Sequence, residues 1–278
     1  MQYTNDVISF DSGVDGFNLL VFGGIHGNEH SGVKAILKFI DLLNNNEISI
    51  LKGKVTFAFG NLEALKVNKR YLDKDMNRMF VDHNFEQFKD LKEYKRVEFL
   101  KSLFKGNHAF LDLHSATNPT EDFLLAEAHS LDIAKNLSPS FVVSGWENFA
   151  SVTGDTETYA ASIGLKSMTY ESGQHDDLKS IENSFNMICK FLANFGVIKF
   201  NFNKSDPICL NLFEIFIKTS DSQILAKDFS NFSFVKKNEL IINGDQPIYA
   251  PVDGYLVFPV DPSKIKIGEE ICFIANTV

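Results

Sequence analysis

An α/β fold, built on a mixed sheet flanked by helices and followed by a small C-terminal all-β domain, is predicted for this chain by three observations. Short apolar runs alternate with amphipathic stretches over the first two-thirds of the sequence. Helical periodicity disappears after "NFNKSDP" (201 to 207). From there to the end, short strand candidates alternate with the turn signals "NG", "PVDG" and "DPS". Strands separated by helices imply a largely parallel or mixed sheet covered on both faces. The change of pattern puts a boundary near 204, dividing the chain into 1–203 and 204–278. A length of 278 residues suits one main domain with a smaller appendage.

The elements follow in order. "FNLLVFG" (17 to 23) reads as a buried strand, and Val33, Ile36, Leu37 and Ile40 then fall at helical spacing. "KVTFAFGN" (54 to 61) is a second strand, with Val55, Phe57 and Phe59 alternating. A long helix is expected from Glu86 to Phe104, turning Phe88, Leu91, Val97, Leu100 and Leu103 toward the core. "AFLDLHS", "DFLLAEA", "FVVSG" and "LKSMTYES" are four further strand candidates. The most regular helix comes next, with Leu178, Ile181, Phe185, Ile188, Leu192 and Phe195 three and four apart and Asp176 or Asp177 suited to its start.

Charge and composition narrow the partners. With 36 acidic against 27 basic residues the formal charge is -9, which argues against nucleic acid or an anionic membrane surface. The opening "MQYTNDVISFDSGVDG" is polar and acidic, and no apolar run approaches the roughly 18 residues of a membrane span. The expected compartment is the cytoplasm. Cys189, Cys209 and Cys272 are odd in number and widely spaced, so buried thiols are expected rather than a disulfide framework.

Four segments carry candidate chemistry. In "FGGIHGNEHSG" (22 to 32), His26 and Glu29 follow the first strong strand, and glycines at 23, 24 and 27 permit a tight turn. Ligands gather at such strand ends in open α/β sheets. The same residues also fit a Gly-rich turn with a surface histidine. "FLDLHS" brings a second histidine, His114, to a strand end. Two histidines and a carboxylate form a catalytic-type zinc set with one position left for water, whose pKa zinc lowers to about 7. Read alone, His114 fits a satisfied core histidine equally well. Asp112 shares its strand face and could orient a ligand. "NKRYLDKDMNRMF" (68 to 80) carries Arg70, Asn77 and Arg78 with neither helical nor strand periodicity. Arginine's planar fork matches a carboxylate, although solvated surface charge also explains such a run. In "MTYESGQH" a strand delivers Glu171 into a Ser-Gly turn, where a carboxylate can shuttle a proton or simply terminate a strand.

Taken together and in this order, "GGIHGNE", "RYLDKDMNRMF", "LDLHS" and "YESGQH" resemble the succinylglutamate desuccinylase/aspartoacylase family of zinc-dependent amidohydrolases, relatives of the zinc carboxypeptidases. The resemblance covers roughly residues 17 to 200. It implies a zinc-carboxypeptidase-like fold and one Zn2+ per chain, held by His26, Glu29 and His114. It further implies that Glu171 is the general base and acid and that Arg70 polarises the scissile carbonyl. Asn77 and Arg78 would hold the α-carboxylate of an N-acyl amino acid, and Asp75 would hold one of the arginines. Aspartoacylases use another arginine shortly before the catalytic glutamate, but "SVTGDTETYAASIGLKSMTY" (151 to 170) has Lys166 as its only basic residue. Tyr249 or Tyr255 could shape the pocket mouth, and His30 or His175 could contact substrate. The partner implied is a small N-acyl amino acid, and a homo-oligomer is compatible with the sequence. A carboxypeptidase acting on a peptide C-terminus and a non-catalytic binding protein are the rival readings.

Overall fold

A computed structural model of the chain describes residues 6–149 and 154–278. Its elements run β1 (Val7–Asp11), β2 (Asn18–Gly23), α1 (His30–Asn44), β3 (Lys54–Phe59), α2 (Leu62–Lys66), α3 (Tyr94–Leu103) and β4 (Ala109–Ala116). Then come β5 (Phe123–Leu125), α4 (Leu131–Asn136), β6 (Phe141–Ser144), α5 (Thr156–Ser162), β7 (Lys166–Gln174) and α6 (Leu178–Asn194). The C-terminal part holds β8 (Ile208–Ile217), β9 (Ile224–Leu225), β10 (Phe234–Val235), β11 (Leu240–Asn243), β12 (Ile248–Tyr249), β13 (Gly254–Val257) and β14 (Glu270–Thr277).

Eleven strands form one mixed sheet in the order β1-β3-β2-β4-β7-β5-β6-β8-β14-β13-β10. Its centre, β3-β2-β4-β7, is parallel, so the carboxyl ends of these strands share one edge. Side chains alternate across β2: Leu19 and Val21 join α1 and α6 in one core, while Leu20 and Phe22 join Phe80, Val97, Leu100, Phe104 and Phe110 in the other. Burial on both faces is why the run "NLLVF" lacks polar alternation. α1 and α6 pack on one side of the sheet. Of their predicted stripes Ile36, Ile188 and Leu192 are wholly buried, Leu37 is half-buried and Leu178 is exposed, while Phe39, outside the predicted stripe, is wholly buried. Asp177 caps α6, its side chain accepting from the Lys179 N–H at 2.8 Å.

The long helix expected from Glu86 to Phe104 is not continuous. A 3-10 turn spans Phe85–Phe88, and the α-helix begins only at Tyr94. Glu93 breaks it: its carboxylate points inward and accepts the N–H groups of Leu72 at 2.8 Å and Asp73 at 3.2 Å. Asp73 in turn accepts from the Lys92 N–H at 3.0 Å. The intervening chain is committed to docking the 70–75 loop. Apolar periodicity persists across the break because Phe88, Val97 and Leu100 still face one core.

Two further differences concern the sheet. β1 pairs antiparallel with β3, an edge strand that the polar N-terminus did not advertise. "DFLLAEA" contributes only three residues of strand, set antiparallel to β7. Beyond 204, β8 continues the main sheet beside β6, yet Phe216, Val235, Ile241, Leu256, Ile271 and Ile274 form a core drawn entirely from that C-terminal part. Cys189 and Cys272 are buried free thiols, pushed up to about 12 by burial, and Cys209 is half-buried. Among the described residues, no helix is long and apolar enough to cross a membrane.

Candidate metal centre and substrate cleft

The parallel strands β2, β4 and β7 each deliver one part of the site at their shared carboxyl edge. After β2 the chain turns at Gly24, whose φ of +75° suits glycine. At Gly27 a Cβ would meet the Ala64 carbonyl carbon at 2.2 Å, so only glycine lets this loop lie against α2. The turn presents His26 and then Glu29, which occupies the residue before α1 without capping it. Its carboxylate is turned instead toward two imidazoles.

Nδ1 of His26 lies 2.8 Å from one Glu29 oxygen and Nδ1 of His114 lies 3.0 Å from the other. One ligating atom from each of the three residues lies within 4.8 Å of the others, and all three residues are buried. This group could hold a metal ion. The far nitrogens face acids: Nε2 of His26 is 3.0 Å from Asp75 Oδ1, and Nε2 of His114 is 3.0 Å from Asp112 Oδ2, off the line of a good hydrogen bond. An acid behind each imidazole favours the tautomer that leaves Nδ1 free to ligate. The Ser115 N–H also donates to Glu29 at 3.1 Å. Burial opposes charge on Glu29, but His26 and His114 outweigh it and hold the carboxyl well below its usual range.

The aperiodic segment 68–80 closes over this group. Arg70 donates through Nε and Nη2 to Asp75 at 3.1 and 3.0 Å, and its Nη1 is 3.4 Å from Glu29. Burial works against the Asp75 charge, yet His26 and Arg70 outweigh it and hold this acid far below the ordinary aspartate range. Asp75 therefore serves both an arginine, as expected, and a histidine, which was not. Asn77 donates its N–H to Asp75 at 2.8 Å and accepts the Thr156 N–H at 3.0 Å. Arg78 donates to the Asn77 carbonyl at 2.8 Å, and its guanidinium has no carboxylate within ion-pair distance among the described residues.

Glu171 stands beside His114 in the β4–β7 register. Its Oε2 is buried without a hydrogen-bond partner among the described residues. Burial and the neighbouring Glu29 charge push its carboxyl up to about 7, with His114, His26 and Arg70 pulling the other way. His26, Glu29, Arg70, His114 and Glu171 thus lie together at one sheet edge, with Asn77 and Arg78 following on the segment that Asp75 anchors to His26 and Arg70.

Other candidates fall elsewhere. Lys166 starts β7, at the opposite end from Glu171, and donates to the His129 carbonyl at 2.6 Å. Tyr255 packs on Phe234 at 5.3 Å, Tyr249 is exposed, and His30 bonds Asn68 on the surface. His175 lies at the rim, 2.9 Å from Ser115 Oγ and 3.2 Å from Thr117 Oγ1, so it braces the loop after β4. Sequence reasoning missed Glu93 and Thr156. "DTET" did carry a signal for the latter: Asp155 caps α5 by accepting the Thr158 N–H at 2.7 Å.

Comparison with known proteins agrees with this geometry. Residues 15–195 match the model of the succinylglutamate desuccinylase/aspartoacylase catalytic domain. The succinylglutamate desuccinylase of Pseudoalteromonas atlantica is 24% identical over an alignment covering 95% of this chain and 82% of that protein. That of Erwinia tasmaniensis is 34% identical over 107 residues, a match spanning only 35% of this chain and 32% of the relative. The crystal structure of the succinylglutamate desuccinylase from Vibrio cholerae superposes with a TM-score of 0.81 at 18% identity, covering 98% of this chain and 85% of that one, a likeness of fold. A family match across most of the chain, on the strands and loops that bring these side chains together, makes this protein a member of the succinylglutamate desuccinylase/aspartoacylase family.

Proposed function

We propose that the chain is a zinc-dependent hydrolase that cleaves the amide bond of an N-acyl amino acid. Two imidazoles and one carboxylate suit zinc in a catalytic rather than a closed structural site, so His26, Glu29 and His114 would hold the ion. Zinc bound there supplies Lewis-acid polarisation and a water acidic enough to react near neutral pH.

The remaining chemistry belongs to the chain. Glu171 takes a proton from the attacking water and returns it to the departing amine, and its unpartnered Oε2 is free to do so. Arg70, oriented by Asp75, donates to the acyl oxygen as negative charge builds on it. Asn77 and Arg78 hold the α-carboxylate, a role supported by a guanidinium that makes no ion pair among the described residues, though its charge acts on Asp75 and Asp155 nearby. The products are a free carboxylic acid and an amino acid. We assign residues 1–203 to the catalytic unit and 204–278 to a C-terminal β-domain with its own apolar core.

The observation that carries the reading is the convergence of three buried ligating groups within 4.8 Å, beside Glu171 and Arg70. Metal-free protein titrated with zinc and assayed on N-acetyl, N-succinyl and N-formyl amino acids and on short peptides tests it. Release of amino acids from the acyl compounds at one zinc per chain is expected. Release from peptides alone would favour a carboxypeptidase, and no turnover on either would favour a binding protein.

A further inference from the structure

We infer that Thr156 is a positioning residue that sets both halves of the site from one helix start: its main chain orients Asn77 and its hydroxyl steadies the acid behind His114. The inference rests on the reading of His26, Glu29 and His114 as zinc ligands and of Asn77 as part of the carboxylate clamp.

Thr156 is fully buried and opens α5, directly after the capping Asp155. Its N–H donates to Asn77 Oδ1 at 3.0 Å. An amide whose oxygen is held by a donor must direct its NH2 group elsewhere, so Asn77 offers a substrate carboxylate donors rather than an acceptor. The Thr156 hydroxyl donates to Asp112 Oδ2. That is the oxygen 3.0 Å from Nε2 of His114.

Asp112 is fully buried, and its Oδ1 has no partner among the described residues. The hydroxyl is therefore the hydrogen bond that fixes which way this carboxylate faces. Without it the carboxylate turns more freely about its broad terminal torsion. The carboxylate charge 3.0 Å from Nε2 of His114 is then no longer held in place, and Nδ1 loses part of its preorganisation as a ligand. Side chain and main chain of one residue thus serve two different binding events, which makes the two roles separable by substitution.

Thr156→Val keeps the branched shape and the N–H but removes the hydroxyl, whereas Thr156→Ser keeps the hydroxyl. Zinc affinity of each metal-free protein is measured by competition with a chromophoric chelator, alongside its thermal midpoint and the KM of the zinc-saturated enzyme. Thr156→Val is expected to weaken zinc about tenfold. Its KM should stay within about twofold, because the N–H to Asn77 persists. Thr156→Ser should bind zinc like the parent. If the valine variant does not fold, Thr156→Ala carries the same expectation. Zinc affinity unchanged in Thr156→Val, or as weak in Thr156→Ser as in Thr156→Val, would overturn the inference. A KM rise as large as the loss of zinc affinity would also overturn it, because α5 would then have loosened as a whole. A parent protein that binds no zinc would overturn the ligand reading as well, whereas a zinc-binding protein indifferent to the hydroxyl would overturn this inference alone.

Discussion

Replacing Glu171 by Gln should disable the reaction while stabilising the metal-free fold. The substitution is isosteric, and Oε2 gives up no hydrogen bond because it has none among the described residues. General acid–base catalysis contributes about 10²- to 10⁴-fold, so a loss in kcat of that order, about 3 to 5 kcal/mol of barrier, is expected. Zinc content should remain near one per chain because Glu171 is not among the three grouped ligands. The stability effect comes from the carboxyl held at about 7 against an ordinary glutamate value of 4.5. Between these values the folded chain keeps a proton that the unfolded chain has lost, so stability falls as pH rises through the window. At about 1.4 kcal/mol per pH unit, the difference amounts to about 3 kcal/mol above pH 7. Urea unfolding of metal-free parent and variant should show this gain at pH 8 and its disappearance at pH 4. Turnover within a few-fold of the parent would refute the proton-transfer role. Equal stability at pH 8 would refute the account of the buried charge.

Three other substitutions test neighbouring claims. His114→Ala should leave the protein with far less than one zinc per chain by elemental analysis, and full occupancy would contradict its role as a ligand. Arg70→Ala should cost about 10²- to 10³-fold in kcat with zinc retained, so a change in KM alone would move Arg70 from the reacting carbonyl to ground-state binding. Glu157 is buried with Oε1 unpartnered, and burial, followed by the nearby Asp155 and Glu127 charges, raises its carboxyl well above its usual value. The folded chain again holds the extra proton, so Glu157→Gln should raise the urea midpoint at pH 8 and match the parent at pH 4.

Much of the site was legible because its parts sit toward the carboxyl ends of strands. In "FLDLHS" and "MTYES" an abrupt change from apolar to polar residues marks the approach to the site, although the strands run on to Ala116 and Gln174, so that Glu171 lies within β7 and not at a Ser-Gly turn. Parallel pairing then brings His114 and Glu171 side by side. The residues that position them were harder to see. Glu93 in "LKEYK" looks like solvated helix charge, yet it is buried to gather the N–H groups of the Arg70 loop. Nothing local distinguishes those two fates, because the donors come from residues 72 and 73. The same blindness produced the overlong helix, since apolar spacing reports which side faces the core and not whether the backbone between is helical. Asp75 was expected to hold one of the segment's arginines, and it holds Arg70, but its bond to His26 spans 49 positions and depends on the tertiary fold.

The pairing of β8 with β6 has a practical corollary for anyone trimming this protein. Although the last 75 or so residues carry an apolar core of their own, their first strand supplies the neighbour that satisfies the backbone of Phe141–Ser144. A fragment ending at 203 would leave that strand as a raw margin of unpaired amides and carbonyls, backed by Val142 and Val143, which are buried in the intact chain. Such margins recruit other chains. The shortened protein should therefore clump rather than work as a minimal catalyst, and a split meant to yield two soluble pieces would need a polar or proline substitution along that strand.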